Sequence, residues 1–183
     1  MSYNVRAEDV LNFWFVENGP KQWWQKSKVF DDLIHRRFCA SYAAAAAGEL
    51  YSWRQSDRGR LAEIILLDQF ARNMFRGTPR AFAADALALV LAQEAVALGV
   101  GENWNAEWLQ FLYMPYMHSE SLVVHGEAVK LFCAAGLERN LDFEHRHKRI
   151  IEQFGRYPHR NAVLGRNSTQ AEMEFLKQPG SGF

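Results

Sequence analysis

Residues 61–75 constrain the fold most, because they predict a helix with two apolar faces. On a period of 3.6 residues, the apolar side chains divide between opposite faces: Leu61, Ile64, Ile65 and Phe75 on one, and Leu66, Leu67, Phe70 and Met74 on the other. A helix that is apolar on both sides is typical of one sandwiched between other helices. The sequence therefore predicts a helical protein built around this segment.

A charged pair lies in the middle of one of these faces. Asp68 and Arg72 are four residues apart, so they meet on the same side of the helix. Because a buried ion costs several kcal/mol unless it is paired, we expect the two to be at least partly buried together. Two interpretations stay open. The pair fixes helix packing, or it lines a pocket with Asn73 and Arg76 at its rim.

The central helix is followed by a junction of helix-breaking and helix-starting residues. Gly77 ends the helix, Thr78 is a predicted N-cap, and Pro79 is suited to the first position of a helix over 79–98. With Arg76 and Arg80 on either side, the junction suits an anion, although it is also an ordinary helix-turn-helix.

The whole chain predicts about seven or eight helices and no strand, hence an all-α fold. We expect a single domain over 1–183, with residues 178–183 as a loose tail. The other predicted helices share N-cap or Gly signals at their ends: 7–16, 28–47 with Ser27 as its cap, a helix from Asn105, 120–135, one capped by Asn140, and a last one with a Thr169–Glu172 capping box. Helix pairs of this length can stack as an α-solenoid.

Composition excludes several classes of protein. Lys plus Arg and Asp plus Glu each number 21, and this zero net charge argues against a general nucleic-acid binder. The two cysteines, Cys39 and Cys133, have no metal or redox spacing, which predicts a reducing cytoplasm. A polar start and no apolar run near 18 residues predict neither a signal peptide nor a membrane span.

Two further stretches place polar groups where burial is expected. His118 and Glu120 open a helix after an apolar segment, and His159, Arg160 and Asn161 are crowded into one loop beside Arg156. His147 lies within the apolar stripe of its own helix. Because buried polar groups need partners, we expect these stretches to meet the Asp68–Arg72 pair in one concave site.

Three functions compete for such a site. In the first, it binds an anionic small molecule or a peptide carboxylate. The binding residues would be Asp68, Arg72, Asn73, Arg76, His159, Arg160 and Asn161. In the second, it is an enzyme with His118 or His147 as acid or base, oriented by Glu120 or Asp68. In the third, the network is structural and the surface binds a protein partner.

A pocket touching Arg72, His118 and Arg160 would favour the first two functions, and a closed, fully paired network would favour the third. No cofactor motif is present, so we expect no cofactor. A metal site could use only His118, Glu120, His147 or His159, whose spacing matches no familiar ligand pattern, so we expect no metal.

Motifs throughout the chain resemble one family of bacterial proteins, the domain of unknown function 924 family. The matching pieces are Phe-Trp-Phe at 13–15, Leu-Leu-Asp-Gln-Phe at 66–70, Arg-Asn at 72–73, Arg-Gly-Thr-Pro-Arg-Ala-Phe at 76–82, Met-His-Ser-Glu at 117–120, Phe-Gly-Arg at 154–156 and Pro-His-Arg-Asn at 158–161. Ala71 stands where that family is expected to carry proline. The resemblance implies a right-handed helical array similar to tetratricopeptide-repeat proteins, and it implies no established activity.

Overall fold

A computed structural model describes residues 5–182, in which ten α-helical segments form nine helices and there is no strand. The α-helical segments are α1 Ala7–Asn12, α2 Pro20–Trp23, α3 Lys28–Ala46, α4 Asp57–Ile65, α5 Ala71–Met74, α6 Asp85–Ala97, α7 Ala106–Met117, α8 Leu122–Ala134, α9 Glu138–Phe154 and α10 Gln170–Phe175. A π-helical turn, Leu66–Phe70, joins α4 to α5 into one continuous helix. The all-α prediction is confirmed, whereas the right-handed, tetratricopeptide-repeat-like arrangement stays a prediction.

The central helix is buried on all sides, as its two apolar faces predict. Every residue from 61 to 71 is buried, and the segment packs against α1, α3, α6 and α7. Ser56 caps its start by accepting a hydrogen bond from the Gly59 amide at 3.1 Å. Asp68 therefore enters the interior with the apolar residues around it, and its exposed fraction is 1%.

The prediction that Thr78 caps one helix over 79–98 is wrong in extent, because Thr78 and Pro79 begin only a short turn and the Thr78 side chain makes no capping hydrogen bond. The Thr78 hydroxyl donates to the Phe75 carbonyl oxygen at 2.8 Å, so it closes the preceding helix instead of opening the next. A short 3₁₀ turn, Pro79–Ala81, follows, and α6 begins only at Asp85. The later start moves Asp85 to the first position of α6.

Asn140 is not a cap either, because α9 begins two residues before it, at Glu138. Three other predicted caps are confirmed: Ser27, Asn105 and Thr169 each accept a backbone N–H in the first turn of their helix. Pro115 lies inside the last turn of α7, and that helix nevertheless continues to Met117.

Two non-helical connections approach the central helix. Residues 118–121 join α7 to α8, and a 3₁₀ turn, Pro158–Arg160, follows α9. Farther along, Ser181 is buried and its hydroxyl donates to the Leu176 carbonyl at 3.1 Å, which anchors part of the tail predicted to be loose. In residues 5–182, no helix combines the length and apolar content needed to cross a bilayer.

Candidate functional site

Five side chains form one ionic network, and four of them are candidates from the sequence. Asp68 comes from the π turn, Arg72 from α5, His118 from the end of α7 and Arg160 from the 3₁₀ turn after α9. Asp85, the first residue of α6, is the fifth member. The three sequence stretches that were expected to meet therefore do so through Asp68, Arg72, His118 and Arg160.

Asp68 is the buried centre of the network. Its carboxylate lies 2.7 Å from His118 Nδ1, 3.0 Å from Arg72 Nη1 and 2.5 Å from Gln69 Nε2. Burial by itself would raise the pKa of Asp68, but the charge of Arg72 and the bond to His118 outweigh it. The pKa of this carboxyl is therefore far below its usual range, and Asp68 is a carboxylate that accepts hydrogen bonds.

Arg72 bridges two aspartates. Its Nη1 donates to the Asp68 backbone carbonyl at 2.9 Å, and its two Nη atoms lie 2.9 and 3.0 Å from the two oxygens of Asp85. The predicted burial of the Asp68–Arg72 pair is thus observed. Sequence reasoning missed Asp85, because an acidic residue in the first turn of a helix is ordinary and marks no site.

Arg160 completes the network from the opposite side. Nη1 donates to Asp85 at 3.2 Å and Nη2 donates to the His118 carbonyl at 3.0 Å. Its guanidinium lies over the rings of Phe82 and Tyr157, at 4.7 and 4.6 Å. Burial and the nearby charge of Arg72 lower the pKa of Arg160. Two arginines and two aspartates bring the network to zero net charge when His118 is neutral.

His118 leaves one ring nitrogen available. Nδ1 donates to the Asp68 carboxylate, whereas Nε2 has no hydrogen-bond partner within residues 5–182. Burial and the charge of Arg72 lower the pKa of His118, although Asp68 opposes them. The ring is therefore neutral at pH 7, with the proton on Nδ1 and a lone pair on Nε2.

A cleft of about 380 Å³ opens to solvent beside His118. Its polar walls are Asp85, His118, Ser119, Glu120 and Arg160, and its apolar walls are Pro79, Phe82, Ala83, Ala86, Leu89 and Leu164. Arg72 stays behind this wall. A pocket touching Arg72, His118 and Arg160 would favour binding or catalysis, and the cleft touches His118 and Arg160. The network is therefore open to solvent on this side, and it is not fully paired within residues 5–182.

Three consecutive carbonyl groups around His118 are each held by a side chain. The Tyr157 hydroxyl donates to the Met117 carbonyl at 2.6 Å, Arg160 binds the carbonyl of His118, and His125 Nε2 donates to that of Ser119 at 2.9 Å. These contacts fix the backbone that carries the His118 ring.

His125 is itself held by a carboxyl group, since its Nδ1 lies 2.6 Å from Glu144 Oε1 and both side chains are fully buried. Burial raises the pKa of Glu144. Both ring nitrogens of His125 are thus used for structure, unlike those of His118. Sequence reasoning missed the His125–Glu144 pair because its members lie on two different helices and share no local motif.

Glu120 does not orient His118. Its two oxygens lie 3.0 and 2.7 Å from the guanidinium of Arg166, and Oε1 also accepts the Tyr157 amide at 2.7 Å. Asp68 takes the orienting role. Glu120 lines the cleft as half of an ion pair that joins residues 118–121 to the loop after α9.

Asn73 and Arg76 were predicted at the rim of the pocket, and the structure places them elsewhere. Both bind Asp31 on α3: Asn73 Nδ2 donates at 2.8 Å, and Arg76 donates through two nitrogens at 2.7 and 2.9 Å. They join the central helix to α3 and line no part of the cleft. The helical period turns Asn73 by about 100° from Arg72, whereas Arg76 lies beyond the end of α5 at Met74.

His147, His159 and Asn161 lie behind the cleft and are not among its walls. His147 Nδ1 donates to the Phe143 carbonyl at 2.8 Å, and the His147 and His159 rings lie 5.7 and 5.5 Å from that of Tyr157. Burial lowers the pKa of His147 to about 3, and burial with the charge of Arg160 lowers that of His159 to about 4.

Asn161 is fully buried and donates to the Ser168 hydroxyl at 3.0 Å, which joins two parts of the loop between α9 and α10. In the part of the chain that the structure describes, no group of three or more His, Cys, Asp or Glu side chains is arranged to hold a metal ion.

Another cleft, of about 530 Å³, lies at the end of α9. Its walls are Gln153, Phe154, Arg156, Thr169, Ala171 and Glu172. Arg156 is paired there with both Glu172 oxygens, at 2.6 and 2.8 Å, and donates to the Asn167 carbonyl. This cleft shares no residue with the ionic network, and its arginine uses Nε and Nη2 to join the end of α9 to α10.

Comparison with known proteins gives the same fold and no activity. A protein of unknown function from Agrobacterium tumefaciens has a similar solved structure, with a TM-score of 0.89 and 37% sequence identity over 93% of this chain and 96% of that one. No curated protein matches the sequence. A family model described as a bacterial protein of unknown function, DUF924, matches residues 10–180. The chain therefore belongs to the DUF924 family of bacterial proteins.

Proposed function

We propose that the cleft beside His118 binds a small amphipathic molecule with an anionic oxygen, such as a carboxylate, at its polar end. The observation that carries the proposal is that Arg160 and His118 stand side by side in a wall that is otherwise largely apolar. The volume of about 380 Å³ lies within the range of roughly 300 to 1,000 Å³ that is usual for ligand pockets.

Arg160 supplies the donors for the anionic oxygen. A guanidinium has five N–H groups, and Arg160 uses one on Nη1 for Asp85 and one on Nη2 for His118. One N–H on each Nη atom is left without a partner among residues 5–182. Planar guanidinium groups are suited to carboxylates because two such donors bind two oxygens.

The apolar wall selects the rest of the ligand. Asp85 offsets much of the charge of Arg160, so a bare inorganic anion gains little electrostatic energy here. A ligand with an alkyl or aromatic body also buries apolar surface against Phe82, Leu89 and Leu164. We therefore expect medium-chain carboxylates to bind, and acetate or phosphate to bind weakly.

The alternative, a purely structural network, does not account for His118 Nε2, which belongs to a side chain in the cleft wall and has no partner in the described range, 5–182. We also propose that the protein works in the cytoplasm. Its two cysteines, Cys39 and Cys133, form no disulfide, which fits a reducing compartment.

Titration calorimetry with hexanoate tests the proposal. Ala86, an exposed cleft residue of α6, is replaced by tryptophan to fill the cleft, and Ala97→Trp at the exposed end of the same helix is the matched control. We expect Ala86→Trp to weaken hexanoate binding at least tenfold and Ala97→Trp to leave it unchanged. Equal binding by both variants, or no binding by the parent, overturns the proposal.

A tripeptide with a free carboxyl terminus serves as a second probe. A peptide presents the same carboxylate chemistry but a larger body. Tighter binding of the peptide than of hexanoate, lost in Ala86→Trp, identifies the ligand as a peptide carboxylate; the reverse order identifies a small molecule.

A further inference from the structure

We infer that this cleft is catalytic, with His118 as the general base that activates water to hydrolyse an ester of a small amphipathic carboxylic acid. The inference rests on the proposed function, because the carboxylate bound in the cleft would be the product of this reaction. Catalysis adds a chemical step to binding, and that step depends on His118 Nε2, which has no hydrogen-bond partner among residues 5–182.

Two buried histidines that each contact a carboxyl group differ at their second ring nitrogen. His125 is completely buried and has protein partners at both ring nitrogens. For His118, the described residues supply a partner at Nδ1 alone, and its side chain is 12% exposed in the cleft wall. A histidine with a purely structural role gains nothing from leaving Nε2 unpaired, whereas a base requires it.

Asp68 also orients the His118 ring. The Asp68 carboxylate holds the proton on Nδ1, which fixes the lone pair on Nε2 and stabilises the positive ring that forms when Nε2 takes a proton. Side-chain contacts at the carbonyls of residues 117, 118 and 119 fix the backbone beneath the ring. Tyr157 and His125 are positioning residues in this scheme.

The nucleophile is water. Ser119 lines the cleft, but within residues 5–182 its hydroxyl makes no hydrogen bond with the His118 ring; its oxygen instead accepts the Ser121 amide at 3.2 Å. Neither Cys39 nor Cys133 is among the cleft walls. The base therefore has no side-chain nucleophile to activate, and a water molecule between Nε2 and the acyl carbon takes that place.

The reaction balances without another reactant. Water gives a proton to His118 Nε2 while its oxygen bonds to the acyl carbon, and the carbonyl electron pair moves onto the carbonyl oxygen. When the carbonyl re-forms, the bond between carbon and the alcohol oxygen breaks, and that oxygen takes the proton from Nε2. The products are a carboxylic acid and an alcohol, and His118 is neutral again.

Arg160 binds the oxygen that becomes negative. Arg160 lies in the same wall as His118, and each of its Nη atoms keeps one hydrogen that no residue in 5–182 accepts. In this scheme, these hydrogens serve the carbonyl oxygen of the ester and later the carboxylate of the product. Donors fixed in place before the reaction stabilise a developing oxyanion strongly, since they need little rearrangement. The apolar wall holds the acyl chain.

Hydrolysis of p-nitrophenyl hexanoate, followed with the parent protein and two variants, tests the inference. His118→Asn keeps a side-chain N–H for Asp68 but has no basic nitrogen in the place of Nε2. His145→Gln, at an exposed histidine of α9, measures the background from surface imidazoles. We expect His118→Asn to lower kcat roughly a hundredfold or more with KM little changed, and His145→Gln to behave as the parent.

Calorimetry with hexanoate on the same proteins separates the two proposals. Hexanoate binding by the parent and by His118→Asn, together with loss of turnover only in His118→Asn, supports catalysis. Hexanoate binding with equal hydrolysis rates in the parent and His118→Asn overturns catalysis and leaves the binding function standing. A parent that neither binds hexanoate nor hydrolyses the ester overturns both.

Discussion

The carboxylate of Asp68 and the Nδ1 atom of His118 are 2.7 Å apart, although 50 residues separate them along the chain. One comes from a π turn in the middle of the buried helix and the other from the end of α7. Because Asp68 is ionised and buried, this bond decides which ring nitrogen of His118 carries the proton. The cleft therefore receives a hydrogen-bond acceptor and not a donor.

Replacing Arg72 with alanine is expected to lower the free energy of unfolding by about 3 kcal/mol or more, because Asp68 would stay buried with a cationic partner removed. Urea denaturation at pH 7 measures the change. Arg36→Ala, at an exposed position of α3, is the matched control and should change stability by less than about 0.5 kcal/mol. A similarly small effect for Arg72→Ala would show that the pair contributes little.

Replacing Arg160 with alanine is expected to impair ligand binding more than folding. Asp85 keeps its two contacts with Arg72 in this variant, so no carboxylate is left unpaired. Hexanoate affinity should fall about tenfold or more, which is about 1.4 kcal/mol. Calorimetry measures the affinity, and a thermal-shift screen of anionic metabolites on parent and variant extends the comparison. Unchanged affinity would rule out Arg160 as the anion donor.

Acid should destabilise the protein through its buried histidines. Burial lowers the pKa of His147 to about 3, whereas an unfolded histidine has a pKa of about 6.5. As the pH falls below about 6.5, the unfolded chain binds a proton that the folded chain does not. Stability is therefore lost progressively down to about pH 3, and His147 accounts for about 2 kcal/mol of the loss between pH 7 and pH 5.

His147→Leu tests this dependence. Its unfolding free energy, measured in urea at pH 7 and pH 5, should differ between the two pH values by about 2 kcal/mol less than that of the parent. His145→Leu, at an exposed position of the same helix, is the control. An identical pH dependence in His147→Leu and the parent would show that His147 is not held neutral.

Replacing Tyr157 with phenylalanine should cost about 1 to 3 kcal/mol of stability, because the buried Met117 carbonyl loses its hydroxyl donor. Tyr51→Phe, at a side chain that is 69% exposed, should be neutral. Urea denaturation measures both. If the three carbonyl contacts position His118, Tyr157→Phe also lowers kcat for p-nitrophenyl hexanoate, and an unaltered kcat would argue against that coupling.

The sequence predicts the central helix and its ion pair well, because both depend on local spacing. Two apolar faces around Asp68 and Arg72 are visible at a period of 3.6 residues, and the structure buries the whole segment. The convergence of residues 68–72, His118 and Arg160 follows from the need of buried charges for partners.

The sequence does not reveal which partners other helices supply. Asp85 resembles any acidic residue in a first turn, and Tyr157 resembles any core aromatic, until packing brings each one to the network. Asn73 and Arg76 show the converse error. They are close to Arg72 in sequence, but both bind Asp31 on α3. Asn73 is turned by about 100° from Arg72, and Arg76 lies beyond the end of α5 at Met74.

The π turn at Leu66–Phe70 holds one residue more than the α-helical turn it replaces. The extra residue is absorbed within the turn, so the helix keeps its faces on both sides: Ile64 is buried before the turn, and Arg72 reaches Asp85 after it. Deleting one residue elsewhere in this buried helix would rotate everything beyond the deletion by about 100°. Deleting one from the π turn would restore a regular helix with little rotation. Single-residue deletions should therefore be tolerated better in this turn than in the α-helical segments that flank it.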